Sequence, residues 1–554
     1  MVRRGPDVSR VYPRWPDGLL VVTYDPSTPA LATVVPASTI DTMPSDEAPS
    51  ATAAAESTSS PSPFQQHDPE KATSITDAAG ITEPSMDAPE IVDWHGPDDP
   101  EMPLNWPQVT KWCNVLLVAT LTFLTPFASS MFAPAIGQVM DEMGTTDRDV
   151  GTFGVSIYLL GYAFGPLFLA PCSELYGRLP VYHICTALFL VLNMCCGLAV
   201  NMPMLVVFRL LTGVVGACPL TIGPGSVSDL FRQGERGRAM AVFTMPVLFG
   251  PSVGPAVGAY VSRSLGWRWT FWLLIIMTAV VYVISLIFQQ ETYPPALLRR
   301  KAARLRKETG NPHYRAADKL DQSSSNQQMF WTSIVRPIKM LALSPIILGL
   351  SMLTAVAYGI LYLLFTTMSD MFQEYYGIVT NVGLVYLASG LGQFAGLLCL
   401  GWFSDPLVAR MAKRAGGEPK PEYRLPPMLP GGAMLPIGLL IYGWSAHYRV
   451  FWFVPLIGQF LIGVSMITVF IPVLTYLVDA FTMYAASASA ANTVFRSAGG
   501  ALLPLAGPRM YASLGQGWAN TLLAGISLVM LGKVLVAIKY GERIRTHPKY
   551  QLKL

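Results

Sequence analysis

Two arginines, Arg209 and Arg496, lie well inside long apolar runs of the sequence. If each run is a helix that crosses a membrane, Arg209 is roughly 7–8 Å and Arg496 roughly 13 Å from the start of its run, at a rise of about 1.5 Å per residue. A charge at such depth is costly and marks a functional position by default. We expect each guanidinium to face a polar cavity or a carboxylate; the alternative is a structural pairing between two helices.

The other candidates for chemistry favour structural roles. His183 and Lys533 also fall inside the runs, but each lies near an end, where the interface can solvate the imidazole and the lysine can extend to water. The seven cysteines have no spacing typical of a disulfide framework or a zinc site. The runs contain no catalytic dyad, metal-binding cluster or nucleotide-binding loop, so the sequence predicts neither an enzyme nor a bound cofactor or metal.

The composition indicates a protein that crosses a membrane several times. Of the 554 residues, 52% are apolar and only 13% are charged, whereas soluble proteins have about 25% charged residues. The mean hydropathy is +0.41. These values argue against a soluble enzyme, a nucleic-acid-binding protein and a disordered scaffold.

The N-terminal segment differs from the rest of the chain. Residues 1–100 contain 16 acidic and 5 basic residues, although the whole chain has 35 acidic and 38 basic ones. The segment is rich in Ser, Thr, Pro, Ala and Asp, a composition that buries too little apolar surface to fold. We predict a disordered, acidic, cytosolic tail over residues 1–92.

Twelve apolar runs follow, each long enough to cross a hydrocarbon core of about 30 Å as a helix. They lie near residues 113–133, 151–171, 181–200, 204–224, 240–261, 270–288, 343–364, 379–400, 428–446, 451–476, 487–508 and 518–538. The longest gap follows the sixth run. We therefore predict an all-α membrane protein with one six-helix bundle over 93–289, a cytosolic loop over 290–340, a second six-helix bundle over 341–540 and a cytosolic C-terminal tail over 541–554.

The distribution of Lys and Arg predicts the orientation. The loops after even-numbered spans contain 19 of these residues and the other loops between spans contain five. Since loops rich in Lys and Arg stay in the cytosol, both termini are expected there. The stretch LLRRKAARLRKETG can also be interpreted as a nucleic-acid-binding segment, but retention beside anionic lipid explains it better, and we expect no nucleic-acid partner.

Span 5 has a pattern of small residues, MPVLFGPSVGPAVGAYV. Gly250, Gly254 and Gly258 recur every four residues, so they share one helix face and permit close approach of a neighbouring backbone. Pro251 and Pro255 each remove a backbone hydrogen bond and should bend the helix. Such a helix can serve as a hinge or a seal between two halves, or it can reflect ordinary packing.

A short motif recurs at the same point of each half. The loop after span 2 reads SELYGRLPVY and contains Glu174, Gly177 and Arg178, and the sequence after span 8 reads GWFSD, with Asp405 in the place of Glu174. This recurrence indicates an internal duplication, from which many carriers are built.

With these motifs the chain resembles the major facilitator superfamily and, within it, the fungal twelve-span drug:proton antiporters. SELYGRLPVY, RLLTG and GPSVGPAVGA carry the resemblance, together with VDWHGPDDPEMPLNWP, LGWRWTFW, ETYPPALLRRKAARLRKETG and AANTVFRS. It covers residues 91–545. The chain departs from the family pattern at Leu179, where a second basic residue is common, and at Ala259, where glycine is frequent.

The resemblance implies roles for the motif residues. It implies a gating motif at Glu174, Gly177 and Arg178, proton coupling at Arg209 and Gly213, and an antiporter motif at Gly250, Pro251, Gly254, Pro255 and Gly258. It also implies two bundles that enclose a cavity and work by alternating access. Candidate side chains that line this cavity are Tyr158, Gln393, Gln459, Tyr476, Asn492 and Arg496.

The function that follows is proton-coupled export of small apolar or amphipathic molecules, namely drugs, toxins or a fungal secondary metabolite. The partners would be the substrate, protons and the lipid bilayer, and the protein would act as a monomer in the plasma membrane, with the vacuolar membrane as the alternative. A polyamine exporter ranks lower because polycations need carboxylates in the cavity, and a nutrient uptake symporter ranks lower because of the span 5 motif. Spans 1, 2, 5, 7, 8 and 10 contain no carboxylate in their interiors, so no proton-carrying acid is evident.

Overall fold

The structure is a computed structural model that describes residues 90–317, 326–378, 382–414, 420–481 and 485–546. The tail predicted for residues 1–92 lies outside these ranges except for its last three residues. Of the tail predicted for 541–554, residues 541–546 are described.

Sixteen α-helices and two short strands form within the described ranges. They are β1 (Glu90–Val92), α1 (Gln108–Met131), α2 (Ile136–Glu142), α3 (Arg148–Tyr176), α4 (Arg178–Gly197), α5 (Met202–Gly216), α6 (Cys218–Leu230), α7 (Gln233–Leu265), α8 (Arg268–Phe288), α9 (Pro294–Thr309), β2 (Tyr314–Ala316), α10 (Asn326–Leu343), α11 (Pro345–Tyr376), α12 (Leu387–Arg414), α13 (Met428–His447), α14 (Phe453–Ala480), α15 (Ala485–Leu502) and α16 (Gly507–Thr546).

These helices make twelve spans, as the sequence predicts. Eleven helical stretches are long and apolar enough to cross a membrane, and the last, Ser487–Arg545, contains two crossings. It is broken at Gly515, where φ is +69°. Beyond this break the helix runs back along α13, with Asn520 beside Gly443 and Leu531 beside Gly432. Spans 1 to 10 are α1, α3, α4, α5 with α6, α7, α8, α11, α12, α13 and α14; span 11 is α15 with the start of α16, and span 12 is the remainder of α16.

The spans pack mainly with others of the same half. In the first half the principal neighbours are α1 with α7, α3 with α5, α4 with α5, and α4 with α8. In the second half they are α13 with α14, α12 with α14, α11 with α15, and α13 with α16. The fold is therefore two six-helix bundles, in which the first and fifth spans of the first half form its most extensive contact.

Both ends of the described chain lie at the same end of the molecule, which we call the basic end; the opposite one is the remote end. The basic end contains α9 and the loop at Arg178. Here β1 pairs in parallel with β2, with Glu90 opposite Tyr314. The end of α16 also lies here, because Arg545 Nε is 3.3 Å from Glu422 Oε1.

The two bundles touch at the midplane and toward the remote end. Ser129 Oγ of α1 lies 2.8 Å from Tyr362 Oη of α11. Arg509 Nη2 of α16 lies 2.5 Å from Asp149 Oδ2 at the start of α3. Spans 5 and 8 also meet, through α7 and the 3₁₀ turn that precedes α12. These contacts join the halves far from the basic end.

The segment before span 1 is attached to α9 by a buried ion pair. Asp99, 5% exposed, accepts hydrogen bonds from the backbone N–H groups of His95 and Glu101, both at 2.9 Å. Lys301 Nζ of α9 lies 3.2 Å from its Oδ2. The His95 bond, with the Glu101 and Lys301 contacts, holds the pKa of Asp99 at about 2, below the ordinary 3.8, against the opposing effect of burial.

The glycines of span 5 face span 1. A Cβ at Gly250 would lie 3.0 Å from the Phe123 carbonyl oxygen, and one at Gly254 would lie 2.7 Å from that of Phe127. A Cβ at Gly258 would overlap the carbonyl oxygen of Met131. The four-residue spacing thus brings the backbones of α1 and α7 into direct contact.

We predict that G258A lowers the thermal unfolding midpoint of the detergent-solubilised full-length protein. The added methyl group has no room against the span 1 backbone, and overpacking of this kind costs about 1–3 kcal/mol. The matched control is G237A on the same helix, where nothing lies within 4 Å of a new Cβ and alanine favours the helix by about 1 kcal/mol. Equal midpoints for the two variants would contradict the packing argument.

We also predict that D99N releases the segment 90–106 from α9. The depressed pKa means that the stabilisation is complete above the unfolded value of 3.8 and is lost as the pH falls from there through about 2. Hydrogen–deuterium exchange at pH 7 should show faster exchange in β1 and β2 for D99N, by about tenfold, since hydrogen bonds to charged groups are worth about 1.5–3 kcal/mol. D98N, at an exposed neighbouring acid, is the control and should exchange as the wild type does.

Candidate functional site

Arg209 is almost fully buried, with 2% of its surface exposed, and its N–H groups make four hydrogen bonds to backbone carbonyls. The acceptors are the carbonyl oxygens of Ala128 and Ser129 in α1 and of Gly154 and Val155 in α3, at 3.1–3.3 Å. Four of the five guanidinium donors are therefore used by the protein backbone. We call this arrangement the span 4 clamp, because it joins span 4 to spans 1 and 2.

Gly213 and Tyr158 complete the clamp. A Cβ at Gly213, one turn after Arg209, would overlap the carbonyl oxygen of Tyr158. The Tyr158 ring centroid lies 5.1 Å from the guanidinium carbon, and its hydroxyl donates to the Thr125 carbonyl at 2.9 Å. Tyr158, predicted to line the substrate cavity, is fully buried and packs among the helices of the first bundle.

No carboxylate among the described residues pairs with Arg209. Asp229, a nearby acid in the sequence, follows it by 20 residues along span 4, which is roughly 30 Å at about 1.5 Å per residue. Glu174 also lies at the basic end, at the end of α3. The guanidinium of Arg209 therefore links helices to one another, which is the structural alternative stated in the sequence analysis. Backbone carbonyls take the place of a counter-ion.

The predicted gating loop is organised by a carboxylate that sequence reasoning missed. Glu291, 3% exposed, accepts hydrogen bonds from the backbone N–H groups of Arg178 at 2.9 Å and Leu179 at 3.2 Å, the first residues of α4. An acid at a helix N-terminus stabilises its free N–H groups and dipole. Gly177, with φ of +98°, leaves room for this carboxylate, since a Cβ there would overlap Glu291 Oε2.

The side chain of Arg178 connects three elements at the basic end. It donates to Ser173 Oγ at 2.6 Å, lies 3.4 Å from Asp229 Oδ2 at the end of span 4, and covers the Tyr293 ring at 4.8 Å. Glu174 lies in electrostatic range of Arg178 and of Arg336 in α10. The loop is therefore a charged junction between spans 2 and 4 and the central loop.

Two other motif predictions concern spans 8 and 5. Asp405, the counterpart of Glu174, lies in α12, but its side chain lies outside what the structure describes. Pro251 and Pro255 lie inside α7, which continues as a helix through both from Gln233 to Leu265.

Arg496 is the second deep arginine, and its surroundings differ from those of Arg209. It is 7% exposed, and its guanidinium carbon lies 4.4 Å from the Tyr358 ring centroid and 4.8 Å from that of Phe470. One turn earlier on α15, Asn492 is fully buried and accepts a hydrogen bond from Thr354 Oγ1 at 2.7 Å. These five side chains, from spans 7, 10 and 11, form what we call the Arg496 site.

Three further cavity candidates lie elsewhere. Gln393 of α12 donates to Ser252 Oγ of α7 at 3.4 Å, so it is at the contact between the bundles. Gln459 is fully buried in α14, and both ends of its amide lack a hydrogen-bond partner among the described residues. Tyr476 is buried near the basic end, where it packs in the cluster that contains Leu477 and Val534. It is not part of the Arg496 site.

Comparison with known proteins identifies the fold. A family model described as Major Facilitator Superfamily matches residues 118–504. The chain belongs to this superfamily. This match confirms the resemblance found in the sequence. Members of the superfamily are transporters that carry small molecules across membranes, and they are not enzymes.

Fungal relatives are similar over most of the chain. The MFS-type transporter penM of Penicillium rubens is 50% identical over 474 residues, which is 85% of this chain and 93% of that protein. The efflux pump radE of Floropilus chiversii is 48% identical over 468 residues, 84% of this chain and 87% of that protein. The fungal efflux branch predicted from the motifs is therefore confirmed.

A solved structure shows the same fold. The partially occluded inward open form of the xylose transporter XylE from E. coli has a TM-score of 0.57 at 15% identity and covers 78% of this chain and 98% of that one. At this identity the likeness concerns the fold alone, which confirms the major facilitator architecture.

We predict that E291Q destabilises the protein by about 1–3 kcal/mol, the cost of leaving buried groups unsatisfied. The glutamine amide would direct N–H groups at the donors of Arg178 and Leu179 and would remove the anionic cap of α4. The thermal unfolding midpoint of the purified protein measures this. E308Q is the control, because the interaction of Glu308 among the described residues is an exposed pair with Arg304, worth about 0–1 kcal/mol. A loss in E308Q as large as in E291Q would be inconsistent with the capping role.

Proposed function

We propose that the protein exports small apolar or amphipathic organic molecules, of the secondary-metabolite kind, in exchange for protons. The observation that carries the proposal is the 48% identity, over 84% of the chain, to a fungal protein named an efflux pump. We further propose that it acts as a monomer in the plasma membrane.

We place the basic end in the cytosol. It contains Arg178, the cations of α9 and both ends of the described chain, and membrane proteins retain their Lys- and Arg-rich loops on the cytosolic side. The direct contacts between the bundles described above lie at the midplane and the remote end, so we propose that a substrate enters from the cytosolic side. This arrangement supports export by alternating access.

The interior of the second bundle supports an apolar or amphipathic substrate. The Arg496 site has two aromatic faces and amide and hydroxyl groups but no carboxylate, and this disfavours a polyamine. The solved structure named a proton:xylose symporter is 15% identical to this chain. At this identity the likeness concerns the fold and does not support uptake of nutrients.

For the coupling, we propose that the span 4 clamp transmits movement and the acids of the basic end carry the proton. Arg209 holds spans 1, 2 and 4 together, whereas Asp229 is paired with Arg178 at a junction that changes when the basic end closes. Protonation of Asp229 would weaken that ion pair. Arg209 and Gly213 then act in coupling through the geometry of span 4.

We predict that inverted vesicles containing the protein accumulate at least one apolar aromatic compound when the lumen is made acidic, because protons leaving the lumen would drive the substrate in. Uptake is measured for a varied panel that includes spermidine and should disappear with a protonophore. Movement of spermidine alone would replace the proposal with polyamine export.

In the same assay R209A should lose at least about tenfold in gradient-driven uptake, since it removes four charge-assisted hydrogen bonds, each worth about 1.5–3 kcal/mol. R263A, at an exposed arginine near the end of span 5, is the control for the lost charge. Full gradient-driven uptake by R209A would show that the clamp has no part in coupling.

A further inference from the structure

The Arg496 site contains donors that no described residue uses. Arg496 makes no hydrogen bond or ion pair with a described residue, and its Nε is fully buried. Asn492 Nδ2, one turn away on the same face of α15, is also buried and without a partner among the described residues. The site therefore presents N–H donors with a positive charge, and no described residue supplies an acceptor for them.

The contrast with Arg209 makes this feature informative. Both arginines lie deep in a span, but Arg209 satisfies four donors with backbone carbonyls of spans 1 and 2. Packing between helices accounts for four of the five donors of Arg209 and for none of the donors of Arg496. Because a guanidinium stays charged in a protein, burying one whose donors have neither carbonyl acceptors nor a counter-ion is costly, and a bound anion would remove that cost.

The position of the site suits a transported molecule. Tyr358 lies beside Arg496 and also beside Gly500, where Leu159 of span 2 reaches the second bundle. Arg496 precedes Gly500 by four residues on α15, so it lies one turn closer to the basic end than this contact. The site is thus next to the surface along which the two bundles would separate.

The chemistry of the site selects a class of ligand. The planar fork of a guanidinium matches a carboxylate with two parallel hydrogen bonds, and Asn492 Nδ2 adds a donor beside it. Tyr358 and Phe470 place aromatic surface around the cation, against which an apolar ring can pack. A carboxylic acid with an apolar body satisfies every unused group.

We propose that Arg496 and Asn492 form a carboxylate subsite, so that the substrates of this transporter are amphipathic organic acids. This inference deepens the proposed export function and rests on it for the identification of the bound acid as cargo. It narrows the substrate class from apolar or amphipathic molecules to those with one anionic group beside an apolar ring system.

The test uses three probes with the same apolar body: 1-pyrenebutyric acid, its methyl ester and 1-pyrenebutylamine. Binding to the full-length protein in nanodiscs is measured by energy transfer from tryptophan to pyrene. The acid should bind about tenfold to a hundredfold more tightly than the ester or the amine, the range expected for hydrogen bonds to a charged group. Equal binding of the three, or no binding of the acid, overturns the proposal.

The variants test the residues. R496M should lower the affinity for the acid to that of the ester and leave the ester unchanged, and N492L should weaken binding of the acid severalfold. R496K keeps the charge without the fork, so it should retain part of the preference for the acid. K533M, which removes an exposed cation of span 12, is the matched control and should behave as the wild type. If R496M keeps the preference for the acid, the proposed subsite is wrong. If R496M fails to fold, R496K and N492L serve as the test, and an unchanged preference for the acid in both would overturn the proposal.

Transport separates this proposal from the one on which it rests. If the acid binds through Arg496 but no pH gradient drives its uptake into inverted vesicles, the subsite stands and the export function fails. If the vesicles take up the ester and the amine as well as the acid, export stands and the subsite is overturned.

Discussion

A membrane interior offers no water to a charged group, so a charge buried there is costly unless the protein or a ligand supplies it with hydrogen-bond partners. The span 4 clamp is where this constraint shapes the first bundle. Arg209 draws carbonyl groups from α1 and α3 toward one guanidinium, and hydrogen bonds to a charge are worth about 1.5–3 kcal/mol each. The relative positions of spans 1, 2 and 4 therefore depend on one side chain.

Close backbone packing gives the clamp its geometry. Carbonyls of neighbouring helices reach a single guanidinium only if those helices lie near one another, and Gly213 permits this between spans 2 and 4. Gly254 and Gly258 bring span 5 against span 1 in the same way. In lipid, where no hydrophobic force drives helices together, such contacts supply much of the association. The first bundle is thus suited to move as one body.

The sequence predicted the spans, their division into two halves and the family, because length, hydropathy and glycine spacing are local properties of the chain. It could not predict what surrounds each arginine. The apolar runs around Arg209 and Arg496 are similar in sequence. However, Arg209 contacts backbone carbonyls whereas Arg496 contacts Tyr358 and Phe470, and these partners come from spans that are distant in the sequence. The helix-capping role of Glu291 could not be predicted for the same reason, because it depends on Arg178, which lies 113 residues away in the sequence.

The different surroundings of the two arginines fit the different roles proposed for the two halves. A charge with four of its five donors used by its own bundle is fixed and can transmit movement, but it has little capacity left with which to recognise a ligand. A charge that contacts only aromatic faces keeps its N–H donors available, but those buried donors then have no hydrogen-bond partner when no ligand is bound. Such a cost is tolerated where a ligand relieves it. If a bound substrate satisfies the donors of such a charge, it favours the conformation in which it binds. In an alternating-access protein, this would couple occupancy of the cavity to movement of the bundles.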